Sequence, residues 1–176
     1  YFQAVSPRTA GFNTVDMTTL SETSLFFMII LMFIGAGSGS TGGGIKLTTA
    51  IIILLATVTF LRGKSEIKVA RRSISATYIS KVLAITIISM VFVFGAILLL
   101  TITEEASFIA IVFEVVSAFG TVGLSTGLTF TLTSIGKQVI IFIMFLGKIG
   151  PLTLAFSLAN PAKEKIKYPN EDILTG

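Results

Sequence analysis

The sequence predicts an all-α membrane protein whose helices are interrupted by short glycine-centred segments, and three observations predict it. Of 176 residues, 53% are hydrophobic and 12% charged, about half the charged share of an ordinary soluble domain, and the mean hydropathy is +0.93. Val82 to Leu100 runs for 19 residues without a charge, long enough to cross the hydrocarbon core of a bilayer. A second long apolar stretch is broken by the string GAGSGSTGGGIK, Gly35 to Lys46. A buried helix in a large soluble core is the competing reading. Further apolar runs at Leu25 to Ile34, Ile45 to Leu61 and Val139 to Leu158 leave it too little polar surface.

Composition also excludes chemistry. There is no cysteine and no histidine, which removes disulfides, thiolate ligands and the usual base and zinc ligand. A Ser-His-Asp arrangement is impossible, and the sparse carboxylates lack paired metal-site spacing, so no enzyme is expected. The net charge of +4 is explained by membrane sidedness, without nucleic acid. The opening YFQAVSPRTAGF has neither an initial Met nor the basic-then-apolar succession of a signal peptide. The chain is therefore expected to be the later part of a longer protein.

Charge sets the route. Arg62, Lys64, Lys68, Arg71, Arg72 and Lys81 cluster between two apolar stretches, opposed only by Glu66, and Lys163, Lys165 and Lys167 follow the last one. Short basic connections stay cytoplasmic, while the connection at Glu104 and Glu105 lacks Lys and Arg and is placed outside. Leu20 to Leu61 then runs inward, Ser80 to Ile102 outward and Thr131 to Leu158 inward. At 1.5 Å per residue the first of these spans would measure roughly 63 Å, about twice the hydrocarbon thickness. A break at Gly35 to Lys46 removes the excess. Such a loop cannot face lipid, because its unpaired amides would be costly there, so it lines an aqueous path or packs inside protein. An extramembrane linker is the alternative, weakened because Leu25 to Ile34 is too short to span alone. A phosphate-binding loop fits worse: Gly39 and Gly44 are suitably spaced, but Ile45 stands where Lys is required and Leu47 follows Lys46.

Between the outer turn and the last span, Ala106 to Ala118 is long enough for a half-membrane helix of about 20 Å, after which the chain returns outward through TVGLST, Thr121 to Thr126. A similar string, TAGFNT, occupies Thr9 to Thr14, sharing Thr, Gly and Thr at matched positions with an offset of 112 residues. Both precede a long inward helix. Glycine at Gly11 and Gly123 lets backbone carbonyls approach an axis, and several carbonyls can replace a cation's hydration shell if several copies converge. Ordinary membrane-helix turns are the plain alternative. Lys148, deep in the last apolar segment, needs a partner or water; it either faces the path or snorkels to the cytoplasm. Lys46 either repels cations or anchors the glycine loop, and Glu114 either supports the half-helix through buried hydrogen bonds or attracts cations outside.

Taken together, Ser6-Pro-Arg-Thr-Ala-Gly-Phe-Asn-Thr14, GAGSGSTGGGIK and Ala118-Phe-Gly-Thr-Val-Gly-Leu-Ser-Thr126 resemble the Trk/Ktr/HKT superfamily of K+ transporters, most closely the bacterial Ktr membrane subunit. The resemblance implies a K+-channel-like fold of helix–pore-loop–helix repeats around a central ion pore in the bacterial cell membrane. On that reading, residues 1–61 end the third repeat, 62–79 form a cytoplasmic linker, 80–160 the fourth repeat and 161–176 a cytoplasmic tail, with the N-terminal repeats missing from this chain. It implies an ion filter at Thr9, Ala10, Gly11, Phe12 and Asn13 and at Thr121, Val122, Gly123, Leu124 and Ser125. K+ would meet Thr9, Ala10, Gly11, Thr121, Val122 and Gly123, with Na+ as a second ion. It implies a gate of Gly35, Gly37, Ser38, Gly39, Ser40, Thr41, Gly42, Gly43, Gly44 and Lys46, opposed by Lys148 where the family commonly carries arginine; lysine keeps the charge without arginine's five-donor fork. A homodimer contacting membrane lipid and a cytosolic nucleotide-binding regulatory ring is implied as well, with nucleotide bound by the ring and none by this chain. An alternating-access secondary cation transporter and a non-conducting structural membrane subunit are the alternatives.

Overall fold

The computed structural model describes residues 1–63, 67–69 and 72–150. The chain is helical: α1 (Phe2–Val5), a 3-10 turn (Met17–Thr19), α2 (Glu22–Phe33), α3 (Leu47–Leu61), α4 (Ala76–Thr103), α5 (Phe108–Phe119), α6 (Leu128–Thr131) and α7 (Ser134–Ile149). A two-residue antiparallel ladder, β1 (Lys68–Val69) with β2 (Arg72–Ser73), sits in the basic connection. The remaining basic positions expected there, Lys64 and Arg71, and Lys163, Lys165 and Lys167 lie outside the described residues, as do Glu66 and residues 151–158 of the last predicted span.

Local chemistry sets the helix ends. Ser21 caps α2 by accepting from Ser24 N at 3.3 Å, with Glu22 in the first turn where the helix dipole favours an acid. Thr133 caps α7 in the same way through Gly136 N at 3.1 Å. Gly150, at φ 90°, ends α7 where an L side chain would be strained. The 28 residues of α4 rise about 42 Å, enough to cross a bilayer, whereas the 12 residues of α5 rise about 18 Å and stop partway.

The half-helix α5 is the centre of the molecule. It packs against α2, α4, α6 and α7, and Phe113 to Gly120 are all buried. A helix ending at mid-membrane must be enclosed by protein, because lipid offers its last carbonyls no donors. Phe33 and Phe119 stack with centroids 5.9 Å apart where α2 meets the end of α5. The outward faces are apolar: Ile87, Val91, Phe94 and Leu98 on α4, and Ile141, Phe142 and Phe145 on α7. In water such continuous apolar faces would be a liability, while in lipid they match the solvent.

The break between α2 and α3 is pinched at its neck. Ile34 and Ile45 form a bridge, Gly35 N donates to Ile45 O at 2.9 Å, Ile45 N to Phe33 O at 3.2 Å, and Leu47 N to Ala36 O at 3.2 Å. These bonds satisfy the backbone where α2 stops and α3 starts. Residues 37–44 are thereby pushed sideways as a loop. Without them α2 and α3 rise together by only about 40 Å, which removes the excess length the sequence exposes.

Candidate functional site

The two strings share a backbone signature. Thr9 has φ 65° and Thr121 φ 51°; Gly11 has φ 73° and Gly123 φ 90°. Left-handed conformation at a β-branched residue is costly and persists only where surroundings impose it. Here it recurs at both matched threonines, each followed two residues later by a left-handed glycine. The strings touch each other: a Cβ on Gly11 would overlap the Val122 carbonyl oxygen. Within the first string Thr9 and Gly11 are half-buried, while Ala10, Phe12 and Asn13 are exposed. Within the second, Val122 and Leu124 are buried, Thr121 and Ser125 half-buried and Gly123 exposed.

Each string has its own braces. The Ser6 hydroxyl donates to the Phe12 carbonyl, and Gln3 Oε1 accepts from Thr14 N at 3.4 Å. In the second, Ser125 Oγ donates to Glu114 Oε2 at 2.7 Å and accepts from Gly127 N at 3.0 Å, and the Thr129 hydroxyl donates to Glu114 Oε1. Glu114 is buried in α5, and each of its oxygens accepts from a hydroxyl of the limb that follows the second string.

The glycine loop presses against both strings at once. A Cβ on Gly42 would stand 2.6 Å from Thr9 Oγ1, and one on Gly43 2.7 Å from Thr121 Oγ1. Gly43 N donates to Thr121 Oγ1 at 2.9 Å. Only glycine allows this approach. Gly35 lies against the Gly43 carbonyl and Gly44, at φ 74°, lies beside Gly120, whereas a Cβ on Gly37 or Gly39 would meet nothing and Ser38 bonds Thr48 Oγ1 at 2.6 Å.

Two ammonium groups hold the loop's tip. Lys46 Nζ donates to Ser40 O at 3.0 Å and Gly42 O at 2.6 Å, and Lys148 Nζ donates to Thr41 O at 2.7 Å. Three successive carbonyls are therefore occupied by positive charge. Lys46 anchors its own loop, and Lys148 reaches it across 107 positions of sequence. Gly147 makes that reach feasible, since any Cβ there would overlap the Phe119 carbonyl; its absence lets α7 lie directly on the end of α5.

Glu104, which the sequence marks only as an outer turn, is buried and closes the start of α7. It accepts from Thr133 N at 3.0 Å and from the Thr133 hydroxyl, and Gly136 leaves room for it. Burial raises its pKa, but the Thr133 and Thr103 bonds and the Lys137 charge outweigh that, so it stays below the ordinary carboxylate value. A carboxylate placed just before a threonine-capped helix in space, 29 residues away in sequence, leaves no local signal. Asp16 is plainer: it caps the 3-10 turn through Thr18 N at 2.9 Å, and those bonds lower its pKa.

A buried half-helix, a glycine string leading away from its end, and a long helix with an apolar outer face define a pore-loop membrane protein. The family model described as TrkH, cation transport protein, matches residues 1–168, and the chain belongs to that family. It is 54% identical to Ktr system potassium uptake protein B of Bacillus subtilis and 49% identical to the protein of that name from Vibrio alginolyticus, each over 176 residues. It is 40% identical over 183 residues to the potassium/sodium uptake protein NtpJ of Enterococcus hirae. These relatives are transport proteins rather than enzymes. The chain covers 40%, 39% and 41% of their lengths and matches their C-terminal part. The potassium transporter TrkH of Vibrio parahaemolyticus superposes with a TM-score of 0.72 at 21% identity, over 88% of this chain and 35% of that one, and so shares the fold.

Proposed function

We propose that this chain is the later part of a K+ uptake subunit of a bacterial cell membrane, supplying two of the filter segments and the gate. Thr9, Ala10, Gly11, Thr121, Val122 and Gly123 present backbone oxygens to a dehydrated K+, with Phe12, Asn13, Leu124 and Ser125 completing the segments. The glycine loop closes the path beneath them. One observation carries the reading: Gly42 and Gly43 sit against Thr9 and Thr121, the matched first residues of two strings 112 positions apart. A loop serving only as a linker has no reason to meet both. The ammonium of Lys148 on Thr41 O adds a positive charge to the obstruction, which raises the barrier for a cation until the loop withdraws.

Na+ is a second ion of this path, in keeping with the potassium/sodium uptake named for one relative. The Ktr system name of other relatives supports partner subunits, and the expected assembly is a homodimer on a cytosolic nucleotide-binding ring. Deleting residues 38–43 from the full-length transporter tests the gate: K+ uptake rises at equal membrane abundance. Unchanged or lower uptake by an abundant, inserted deletion variant defeats the proposal.

A further inference from the structure

Behind the second string lies a cavity of about 240 Å³, walled by Glu114, Ser117, Ser125, Thr129 and Met144 together with the string itself. Val122 and Leu124 are packed into the core, but Ser125 and Thr129 border this cavity, where hydrogen bonds rather than close packing must fix the chain. Glu114 is 6% exposed, and a buried carboxylate is costly unless donors satisfy it. Its donors, Ser125 and Thr129, stand 2.9 Å apart in one small network that also takes up Gly127 N. That network exists only while the outward limb from Ser125 to Thr129 stays folded against α5, and the limb starts two residues beyond Gly123.

The first string is held by other means. Shifted back by 112 positions, Glu114 falls on Phe2, Ser125 on Asn13 and Thr129 on Met17; shifted forward, Ser6 falls on Ala118, which has no hydroxyl. Backbone bonds tie both strings to the helix end before them, but the side-chain brace is a hydroxyl-to-carbonyl bond in one string and a carboxylate in the other.

We infer that Glu114 is a positioning residue peculiar to the second string, and that it sets K+ over Na+ discrimination by pinning the limb that fixes where the Val122 and Gly123 carbonyls stand. The inference rests on the filter reading above. With the brace cut, the string relaxes toward the cavity and adapts to the smaller ion.

The test uses the full-length transporter in cells lacking other K+ uptake, measuring KM and Vmax for both ions in Glu114→Gln, Glu114→Asp and Thr129→Val, with Gly123→Ser as the filter control. Glu114→Gln lowers the ratio of the Na+ KM to the K+ KM about tenfold, the effect of one lost charge-assisted hydrogen bond, with Vmax changed less than about twofold at equal abundance. Glu114→Asp recovers part of the ratio, and Thr129→Val, at an exposed site, gives a smaller fall of about threefold. An unchanged ratio, or a loss confined to abundance or Vmax, overturns the inference. If Glu114→Gln fails to reach the membrane, Thr129→Val decides by the same ratio. A shift in Gly123→Ser without one in the brace variants refutes the brace alone, while no shift in Gly123→Ser refutes the filter reading itself.

Discussion

Replacing Gly43 by alanine tests the loop's seat directly. The added methyl would lie 2.7 Å from Thr121 Oγ1 and Cγ2, closer than real Cβ contacts come, and 3.0 Å from Phe119 O, a tight contact. Overpacking of this kind costs about 1–3 kcal/mol, and displacing the loop also breaks the Gly43 N to Thr121 bond, worth about 0.5–1.5 kcal/mol. The closed loop is thus destabilised by about 2–4 kcal/mol, and at a factor of ten per roughly 1.4 kcal/mol the closed-to-open ratio falls by about 30- to 1,000-fold. Gly37→Ala is the matched control, because a Cβ there meets nothing within 4 Å. Rubidium tracer uptake by the full-length transporter, normalised to membrane abundance, should rise at least about tenfold in Gly43→Ala and stay at the parent level in Gly37→Ala. Equal uptake by the two variants would refute the claim that close contact at Gly43 holds the path shut.

Lys148→Gln removes the charge on Thr41 O and, at about 1.5–3 kcal/mol for a charged hydrogen bond, should raise uptake roughly tenfold; Lys148→Arg should keep it low in the same assay. Gly147→Ala should lower the midpoint of thermal unfolding in detergent, since its methyl overlaps the Phe119 carbonyl and overpacking costs about 1–3 kcal/mol. Glu104 adds a pH dependence: its folded pKa lies below its unfolded value of 4.5, so its contribution is fully present above that value and is lost as pH falls through the folded pKa. Unfolding midpoints should therefore drop below about pH 4.5 in the parent and drop less in Glu104→Gln.

Much of the architecture is legible in the sequence because lipid imposes simple rules. The 19 uncharged residues from Val82, the excess length of Leu20 to Leu61 and the half-length run before Gly120 each follow from hydrocarbon thickness, and α4, the 34–46 break and α5 stand where those lengths put them. Lys148 and Glu114 stand out as ionisable groups inside apolar segments, which marks them without naming partners. The partners were not legible. Lys148 meets Thr41 across 107 positions, Gly43 meets Thr121 across 78 and Glu104 meets Thr133 across 29, and no periodicity links such pairs. The glycines illustrate the same limit. Composition shows that Gly35 to Gly44 cannot continue a helix, but only the packing separates Gly42 and Gly43, which touch the strings, from Gly37 and Gly39, where a side chain would meet open space. The left-handed threonines were hidden too, because threonine is among the residues least suited to that conformation.

The central claim is that the two strings share one dehydrated cation directly above the glycine loop. Anomalous density from thallium, which substitutes for K+ chemically, in the complete transporter tests it most directly. The account predicts a peak within coordination distance of carbonyl oxygens from both Thr9–Gly11 and Thr121–Gly123. Thallium bound elsewhere in the transporter, with none between these two segments, would contradict it.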